Sequence, residues 1–509
     1  MQSIEPGQKE YRYSFLAKNI FWLILGWIIS AVIPLITMPI ITTYLDPKSF
    51  GIIALFMVEA SLLGGLYGLG LGAFASRMIY KYDRRNRQKC LQYLGVILFY
   101  LIVFSLLGLL ISLPFVKILK RLILKDVFFP YSFLFYIPVI YGFFDNIYGF
   151  TINSFLSLQQ NKKYFICNIT GVLLLIPIEV VGLVWFGFTW VEIVILQLIV
   201  KIVVVLLSLW LLKENLGFSF KRLKIIKFAL RYSLPYVPLN FSAWIQQQID
   251  KIFLGGMHSL SYVGVYAVGM KVSEGFRFFS RPIAASIKPE ISKRLDSNES
   301  GIQRDITDFF NLFFQLSLFV IFAISIFSQE IITLFANVKY SGAYRIIPFT
   351  IFGIMFAELS GILHLKFIYK NKTMLFPLIT FLGAFLNVSL NYYLIPKFEI
   401  VGAAFAAVLA NLGVLFVCYF ISQRLHFSRY NMKKNISLLI VTVFIIFLIQ
   451  NMLPTSRIAI LLKSAIILFF GFILYKYILC TNERFMGLRD ALINTAKIKY
   501  RSVWNKGKL

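Results

Sequence analysis

The sequence predicts an all-α polytopic membrane protein with about fourteen transmembrane helices, arranged as two pseudo-symmetric six-helix lobes plus two C-terminal helices. Three observations carry that prediction. The 509 residues are 59% hydrophobic and only 14% charged, and the mean hydropathy is +0.79, which belongs to a chain whose surface faces lipid. The apolar residues are gathered into runs of roughly 20, the length a helix needs to cross about 30 Å of hydrocarbon. The 51 Lys and Arg, against 22 Asp and Glu, sit in short clusters between those runs, the topogenic pattern of cytoplasmic loops. On a soluble chain a net charge of +29 would suggest nucleic acid; without a basic domain of interleaved aromatics, no nucleic-acid partner is expected.

Taken in order, the spans fall near 18–44, 52–76, 91–116, 131–156, 164–187, 190–212, 234–256, 263–287, 306–332, 345–368, 373–395, 401–423, 436–453 and 458–480. The first is of full membrane length and lacks a small-residue cleavage site, so it is expected to remain as a span rather than to leave as a signal peptide. The loops are short, none much above about 20 residues, which leaves no room for an inserted soluble domain. Lys9, Arg12 and Lys18, YKYDRRNRQK at 80–89, QQNKK at 159–163, KRLKIIKFALR at 221–231, SKRLD at 292–296, KNK at 370–372, RLHFSRYNMKK at 424–434 and the tail all fall on one side. That side is then cytoplasmic, and so are both termini. One basic loop, KILKRLILKD at 117–126, lands on the other side and is read as an interfacial amphipathic segment.

The chain divides after six spans. Residues 1–212 form an N-terminal lobe, 213–233 a basic cytoplasmic linker, 234–424 a C-terminal lobe of spans seven to twelve, 425–480 the two extra spans, and 481–509 a basic tail suited to the anionic inner leaflet. The lobes echo each other: Pro34, Pro39 and LDPKSFG open the first, Pro235, Pro238 and LSYVG the second. IPIEVVGLVWFGF and LIPKFEIVGAAFA occupy matching positions between fifth and sixth spans. Such parallel repeats are related by an axis along the membrane normal.

The segment from Leu234 to Arg281 carries charges at bilayer depth, where each costs at least about 2.5–3.5 kcal/mol and is expected to face a bundle interior or a wet cavity. On the eighth span Lys271, Glu274, Arg277 and Arg281 are spaced 3, 3 and 4 and share an arc of roughly 120°. Such a wall suits an anionic group such as a pyrophosphate; alternatively, Glu274 neutralises Lys271 and Arg277 while Arg281 snorkels to the surface. On the seventh span Asn240, Gln247 and Lys251 share a face beside Gln246, Gln248 and Asp250, either to bind sugar hydroxyls or a coupling cation, or as interhelical glue. The second span repeats glycine every four residues at Gly64, Gly68 and Gly72, a spacing read chiefly as close helix packing. Arg77 follows it, as an anchor or as the first basic group a phosphate meets. Glu59, Asp145, Glu179 and Glu358 are isolated carboxylates and candidates for ion coupling, while Glu192 and Lys201 are read as pairing partners for other helices.

Cys90, Cys167, Cys418 and Cys480 form no CxxC and His258, His364 and His426 are scattered, so neither a disulfide framework nor a metal site is expected. No catalytic constellation or phosphate-binding glycine loop appears, and the chain is not expected to be an enzyme. No cofactor is expected; energy would come from H+ or Na+ coupling or from the membrane potential.

LDPKSFGIIAL, GLGLGAFASRMIYKY, QQQIDKIFLGGMHSLSYVGVYAVGMKVSE and LNYYLIPKFEIVGAAFAAVLANLGVLF resemble the landmarks of bacterial polysaccharide (O-antigen-type) flippases of the multidrug/oligosaccharidyl-lipid/polysaccharide exporter superfamily. The resemblance runs over spans one to twelve. It implies two six-helix lobes about a central cavity, alternating access in the bacterial cytoplasmic membrane, and transfer of undecaprenyl-pyrophosphate-linked oligosaccharide from the cytoplasmic to the outer leaflet. A polysaccharide polymerase and chain-length machinery are the implied protein partners. The expected substrate-binding residues are then Arg77, Asn240, Gln247, Lys251, Lys271, Arg277 and Arg281, and the expected ion-coupling residues Asp145, Asp250, Glu274 and Glu358. Where many relatives carry a basic residue late in the first span, this chain has Thr42 and Thr43, which shifts the cationic wall to the second lobe and Arg77. The alternatives are a drug/cation antiporter of the same superfamily, whose cavity should be rich in carboxylates and aromatics, and a polytopic glycan polymerase or ligase, which needs a sizeable external loop.

Overall fold

The structure, a computed structural model, describes residues 6–476 apart from 84, 117, 119–130, 218, 284–301, 371, 373, 426 and 453–456; side chains at 6–20, 23, 24, 27, 31, 220–222, 302–305, 369 and 457 are not described either. The basic loop at 117–126 is all but outside the described residues, and SKRLD at 292–296, the tail 481–509 and Cys480 lie wholly outside them.

The described elements are helical. In the first half they are α1 (Pro6–Tyr44), α2 (Pro47–Tyr67), α3 (Leu71–Tyr82), α4 (Arg87–Ser112), α5 (Ile137–Ser157), α6 (Asn161–Trp185) and α7 (Trp190–Leu212). A short α8 (Ile226–Ser233) leads into α9 (Tyr236–Met257), α10 (Leu260–Ser273), α11 (Ile302–Ile326), α12 (Ser328–Phe335), α13 (Ile347–Tyr369), α14 (Leu375–Leu425), α15 (Met432–Met452) and α16 (Arg457–Leu474). Helical residues fall within each expected segment. Among the described residues nine helices are long and apolar enough to cross a membrane. Neither α9 nor α10 is among those nine: α10 is only 14 residues long, and in α9 Asp250, Lys251 and the neighbouring glutamines lower the hydropathy.

Local sequence explains several ends. Asp46 caps α2, its Oδ1 accepting the Ser49 N–H at 3.3 Å with Pro47 in the first turn, where a missing donor is harmless. Asn86 caps α4 through the Lys89 N–H at 3.0 Å. Thr189 and Glu192 form a reciprocal capping box at the start of α7, which accounts for Glu192 without any partner helix.

The expected ninth span is interrupted at Phe327, between α11 and α12, and two larger departures affect the second span and the eleventh and twelfth. The second span is not continuous: the chain breaks between α2 and α3, where Leu69 has φ 44° and Gly70 φ 72°, a conformation that glycine adopts without strain. The eleventh and twelfth spans share one hydrogen-bonded run, α14, which reverses at Glu399 (φ 51°, ψ −128°). Gly402 permits that reversal, since a Cβ there would overlap the Leu394 carbonyl.

Packing divides the molecule unevenly. One buried cluster joins Leu71, Phe74, Cys90, Leu101, Phe150 and Phe155 within the first lobe. The larger cluster takes Phe50, Ile53 and Phe56 of α2 together with Val263, Tyr266 and Val268 of α10 and the core of the second lobe. Thus α2 belongs to both lobes. At the end opposite the basic loops, Gly51 and Gly264 bring α2 and α10 into backbone contact, the Tyr340 hydroxyl donates to the Leu45 carbonyl at 3.2 Å, and the Asn337 N–H donates to Thr42 Oγ1 at 2.9 Å. Thr42, which replaces an expected basic residue, therefore closes the lobes at that end.

The last two helices are held to α11 and α12 by polar contacts as well as apolar ones. Asn435 Nδ2 donates to Asn311 Oδ1 at 2.9 Å, Gln450 Nε2 to the Ser325 carbonyl at 3.0 Å, and Lys463 Nζ to Glu330 Oε1 at 2.6 Å. Phe322 and Phe470 add a ring contact at 4.3 Å.

Candidate functional site

Two cavities lie where the lobes meet. The first, of about 240 Å³, sits between α1 and the end of α10 and is lined by Ile28, Ser30, Pro34 and Leu35 on one side and by Lys271, Glu274, Gly275, Arg277, Phe278, Arg281 and Pro282 on the other. The four charged residues spaced 3, 3 and 4 thus share one wall, although the helix tightens to a 3₁₀ turn at Glu274–Phe276. Lys271, Glu274 and Arg281 are exposed and Arg277 half-buried. Lys271 Nζ lies 4.8 Å from the centre of the Phe50 ring and feels the charges of Glu179, Glu274 and Lys251.

The expectation that Glu274 neutralises Arg277 is replaced by a different pairing: Arg277 Nη1 donates to Glu358 Oε1 of α13 at 3.1 Å. Glu274 is left on the cavity wall beside Lys271, Arg277 and Arg281, and with Glu358 holding Arg277 these groups keep one positive charge in excess. An excess of donors in a site walled by apolar side chains is what a di-anionic group needs.

The second cavity, of about 510 Å³, lies between α2, α3 and α5 of the first lobe and the start of α9. It collects Gly64, Gly65, Gly68, Gly70 and Gly72 with Asp145, Asn146, Asn153, Tyr236 and Asn240. The glycine pattern read as packing does two jobs. Gly64 and Gly68 receive α5, whose Gly142 carbonyl and Asn146 side chain occupy the space a Cβ would need, whereas Gly65 and Gly72 face open space. Asp145 does not stand alone: its Oδ1 accepts from Lys201 Nζ at 2.8 Å, and the Lys201 ammonium lies 4.9 and 4.6 Å from the centres of the Tyr141 and Tyr148 rings.

The remaining candidates scatter. Lys251 Nζ donates to Gln248 Oε1 at 2.7 Å, and Gln247 is exposed on α9. Asp250 is 5% exposed, accepting from the Tyr266 hydroxyl and the Lys251 N–H, so it is walled off from both cavities. Gln246 serves as interhelical glue, donating to the Thr380 carbonyl at 2.7 Å. Arg77 lies outside both cavities, its guanidinium carbon 4.5 Å from the centre of the Tyr232 ring. Sequence reasoning missed the α1 wall and Asn153. Pro34 was visible as a signal; for Asn153 nothing local announced a cavity.

The model of a family described as polysaccharide biosynthesis protein matches residues 16–294. The probable low-salt glycan biosynthesis flippase Agl15 of Haloferax volcanii is 25% identical over 244 residues, covering 47% of this chain and 50% of that protein; the chain thus spans about half the length of this curated relative. The lipid II flippase MurJ in an inward closed conformation superposes with a TM-score of 0.70 at 13% identity, over 89% of this chain and 98% of that one. An inward-facing multidrug resistance MATE transporter of the MOP superfamily gives 0.60 at 16%, over 80% and 98%. The Vibrio cholerae MATE transporter VcmN in its bent form gives 0.56 at 12%, over 81% and 97%. At such identities the solved structures share the fold.

Proposed function

The chain belongs to the polysaccharide biosynthesis protein family, and from that premise we propose that it is a flippase carrying undecaprenyl-pyrophosphate-linked oligosaccharide from the cytoplasmic to the outer leaflet by alternating access. The observation that carries the proposal is the cleft between α1 and α10, where Lys271, Arg277 and Arg281 outnumber the carboxylates of Glu274 and Glu358. Substrate enters at the basic end, which is the cytoplasmic one, with both termini on that side. The pyrophosphate takes donors from Arg277 and Arg281, Lys271 adds charge at depth, and the polyprenyl tail stays in lipid. Arg77 and Lys251 supply a lesser attraction at longer range. Asn240 and Gln247 meet the glycan. Substrate oxygens compete with Glu358 for Arg277, so H+ or Na+ binding at Glu358 or Glu274 biases the exchange between inward and outward forms, with Asp145, once freed from Lys201, and the enclosed Asp250 as the further coupling carboxylates. No bond in the substrate is made or broken.

The test is the sidedness of labelled lipid-linked repeat units in cells with and without the gene. Accumulation on the cytoplasmic leaflet with loss of surface polymer supports flipping. Repeat units that reach the outer leaflet normally in the deletion would sink it, and a drug-efflux phenotype in the same cells would favour the antiporter.

A further inference from the structure

We propose that the cavity between α2, α3, α5 and α9 is a sugar subsite that holds an uncharged hexose or N-acetylhexosamine ring of the transported glycan. The assignment rests on the lipid-linked glycan reading above and adds to it the class of sugar. Its volume, about 510 Å³, falls within the range of roughly 300–1,000 Å³ typical of small-ligand sites.

The lining is polar without being charged overall. Asp145 is its single ionisable carboxylate, and Lys201 neutralises it at 2.8 Å. No unpaired cation among the lining residues waits for a uronate or a phosphate, in contrast to the cationic cleft between α1 and α10. What the cavity offers instead is amides. Asn153 and Asn240 are exposed to it and make no side-chain hydrogen bond among the described residues. Each can donate and accept, as a sugar hydroxyl or acetamido group requires.

These two amides come from different lobes, Asn153 from α5 and Asn240 from α9. A ring bonded to both therefore ties the lobes together and is released when they part. The floor is equally suited. Around Gly65, Gly72 and Gly149 no atom outside the local helix lies within 4 Å of where a Cβ would stand, which leaves bare backbone and room for the C–H face of a ring. Tyr236 closes one side, and the neighbouring Trp244 Nε1 donates across the lobes to Ser61 Oγ at 3.0 Å.

Because the glycines face open space, Gly72→Leu and Gly65→Leu fill the cavity without displacing a neighbour. Gly256→Leu, where a Cβ also meets nothing, is the control outside both cavities. The full chain in nanodiscs is titrated, by intrinsic tryptophan fluorescence, with undecaprenyl pyrophosphate, its N-acetylglucosamine derivative, and its glucuronic acid derivative. We expect the N-acetylglucosamine form to bind about tenfold tighter than bare lipid, a gain of the size two hydrogen bonds supply. G65L, G72L and N153A abolish that gain and leave bare-lipid affinity unchanged, G256L keeps it, and the glucuronic acid form gains nothing. A gain that survives in G72L, or that glucuronate matches, overturns the subsite. Failure of the wild type to bind bare undecaprenyl pyrophosphate overturns the carrier reading instead. Chitobiose alone, added at millimolar concentration, then decides the subsite by itself: a response lost in G72L supports it, and a response unchanged in G72L, or none in the wild type, overturns it.

Discussion

Gly51 and Gly264 meet backbone to backbone across the two lobes. A Cβ on Gly51 would overlap the Leu260 carbonyl, a Cβ on Gly264 would overlap the Pro47 carbonyl, and each would stand 3.1 Å from the nitrogen of the other glycine. Leu260 and Pro47 are the first residues of α10 and α2, so each helix start receives the other, as in a contact across a two-fold axis. The two glycines end the matching motifs LDPKSFG and LSYVG.

This contact seals the end of the molecule away from the basic loops, and Gly264→Ala should break the seal. Added bulk in a close contact costs about 1–3 kcal/mol, here charged against the closed arrangement alone. The check is labelling of a Ser61→Cys reporter, on the second cavity, by an impermeant maleimide applied from that end in a Cys480→Ser background; the native Cys90, Cys167 and Cys418 are buried. Labelling at least about tenfold faster in G264A is expected. Unchanged labelling would mean that the lobes do not part here.

The helical apolar runs and the shared face of the charged residues on α10 were legible in the sequence because each rests on residues within a few positions of one another. The break at Leu69 and Gly70 was not, since glycines four apart announce close packing equally well. Nor was the partner of Arg277: Glu274 lies three residues away and Glu358 lies on another helix, and only packing decides between them. The second cavity is hidden for the same reason, because Asn153 and Asn240 come to one cavity from different lobes.

The pairing of Arg277 with Glu358 separates substrate contact from structural support. Both partners are partly exposed, at 32% and 23%, so the pair stabilises by about 1 kcal/mol rather than the larger figure for a fully buried one. Exchanging the charges, Arg277→Glu with Glu358→Arg, should return the melting temperature to within a few degrees of wild type. Flipping should still fall by about tenfold or more, because the cleft has lost its forked donor. Transport recovered along with stability would assign Arg277 to scaffolding.

Gly402→Ala tests the reversal in α14. A side chain there would meet the Leu394 carbonyl of the same hairpin, and a carbonyl held between two helix arms has nowhere to move. The expected cost is about 3 kcal/mol or more, seen as loss of folded protein after detergent extraction. Ala403 and Ala404 beside it are fully buried, and replacing either by Gly should cost only about 1 kcal/mol. Equal tolerance at the three positions would mean that the hairpin is looser than its backbone geometry.

The contact of Lys463 with Glu330 decides whether the two terminal helices are appendages or part of the folded body. Lys463 is 2% exposed, and its ammonium lies 2.6 Å from a carboxylate whose other oxygen is buried without a hydrogen-bond partner among the described residues. Lys463→Met leaves that carboxylate alone in an apolar seam, which costs about 3–5 kcal/mol for a buried pair. Replacing both, Lys463→Met with Glu330→Gln, removes the charge and should recover most of the loss, since an unpaired ion is far worse than no ion. Thermal unfolding in detergent reads both variants. A double variant as unstable as K463M would locate the damage in packing around Phe470 rather than in the orphaned charge. No change in either would mean that α16 contributes nothing to the stability of the body it touches.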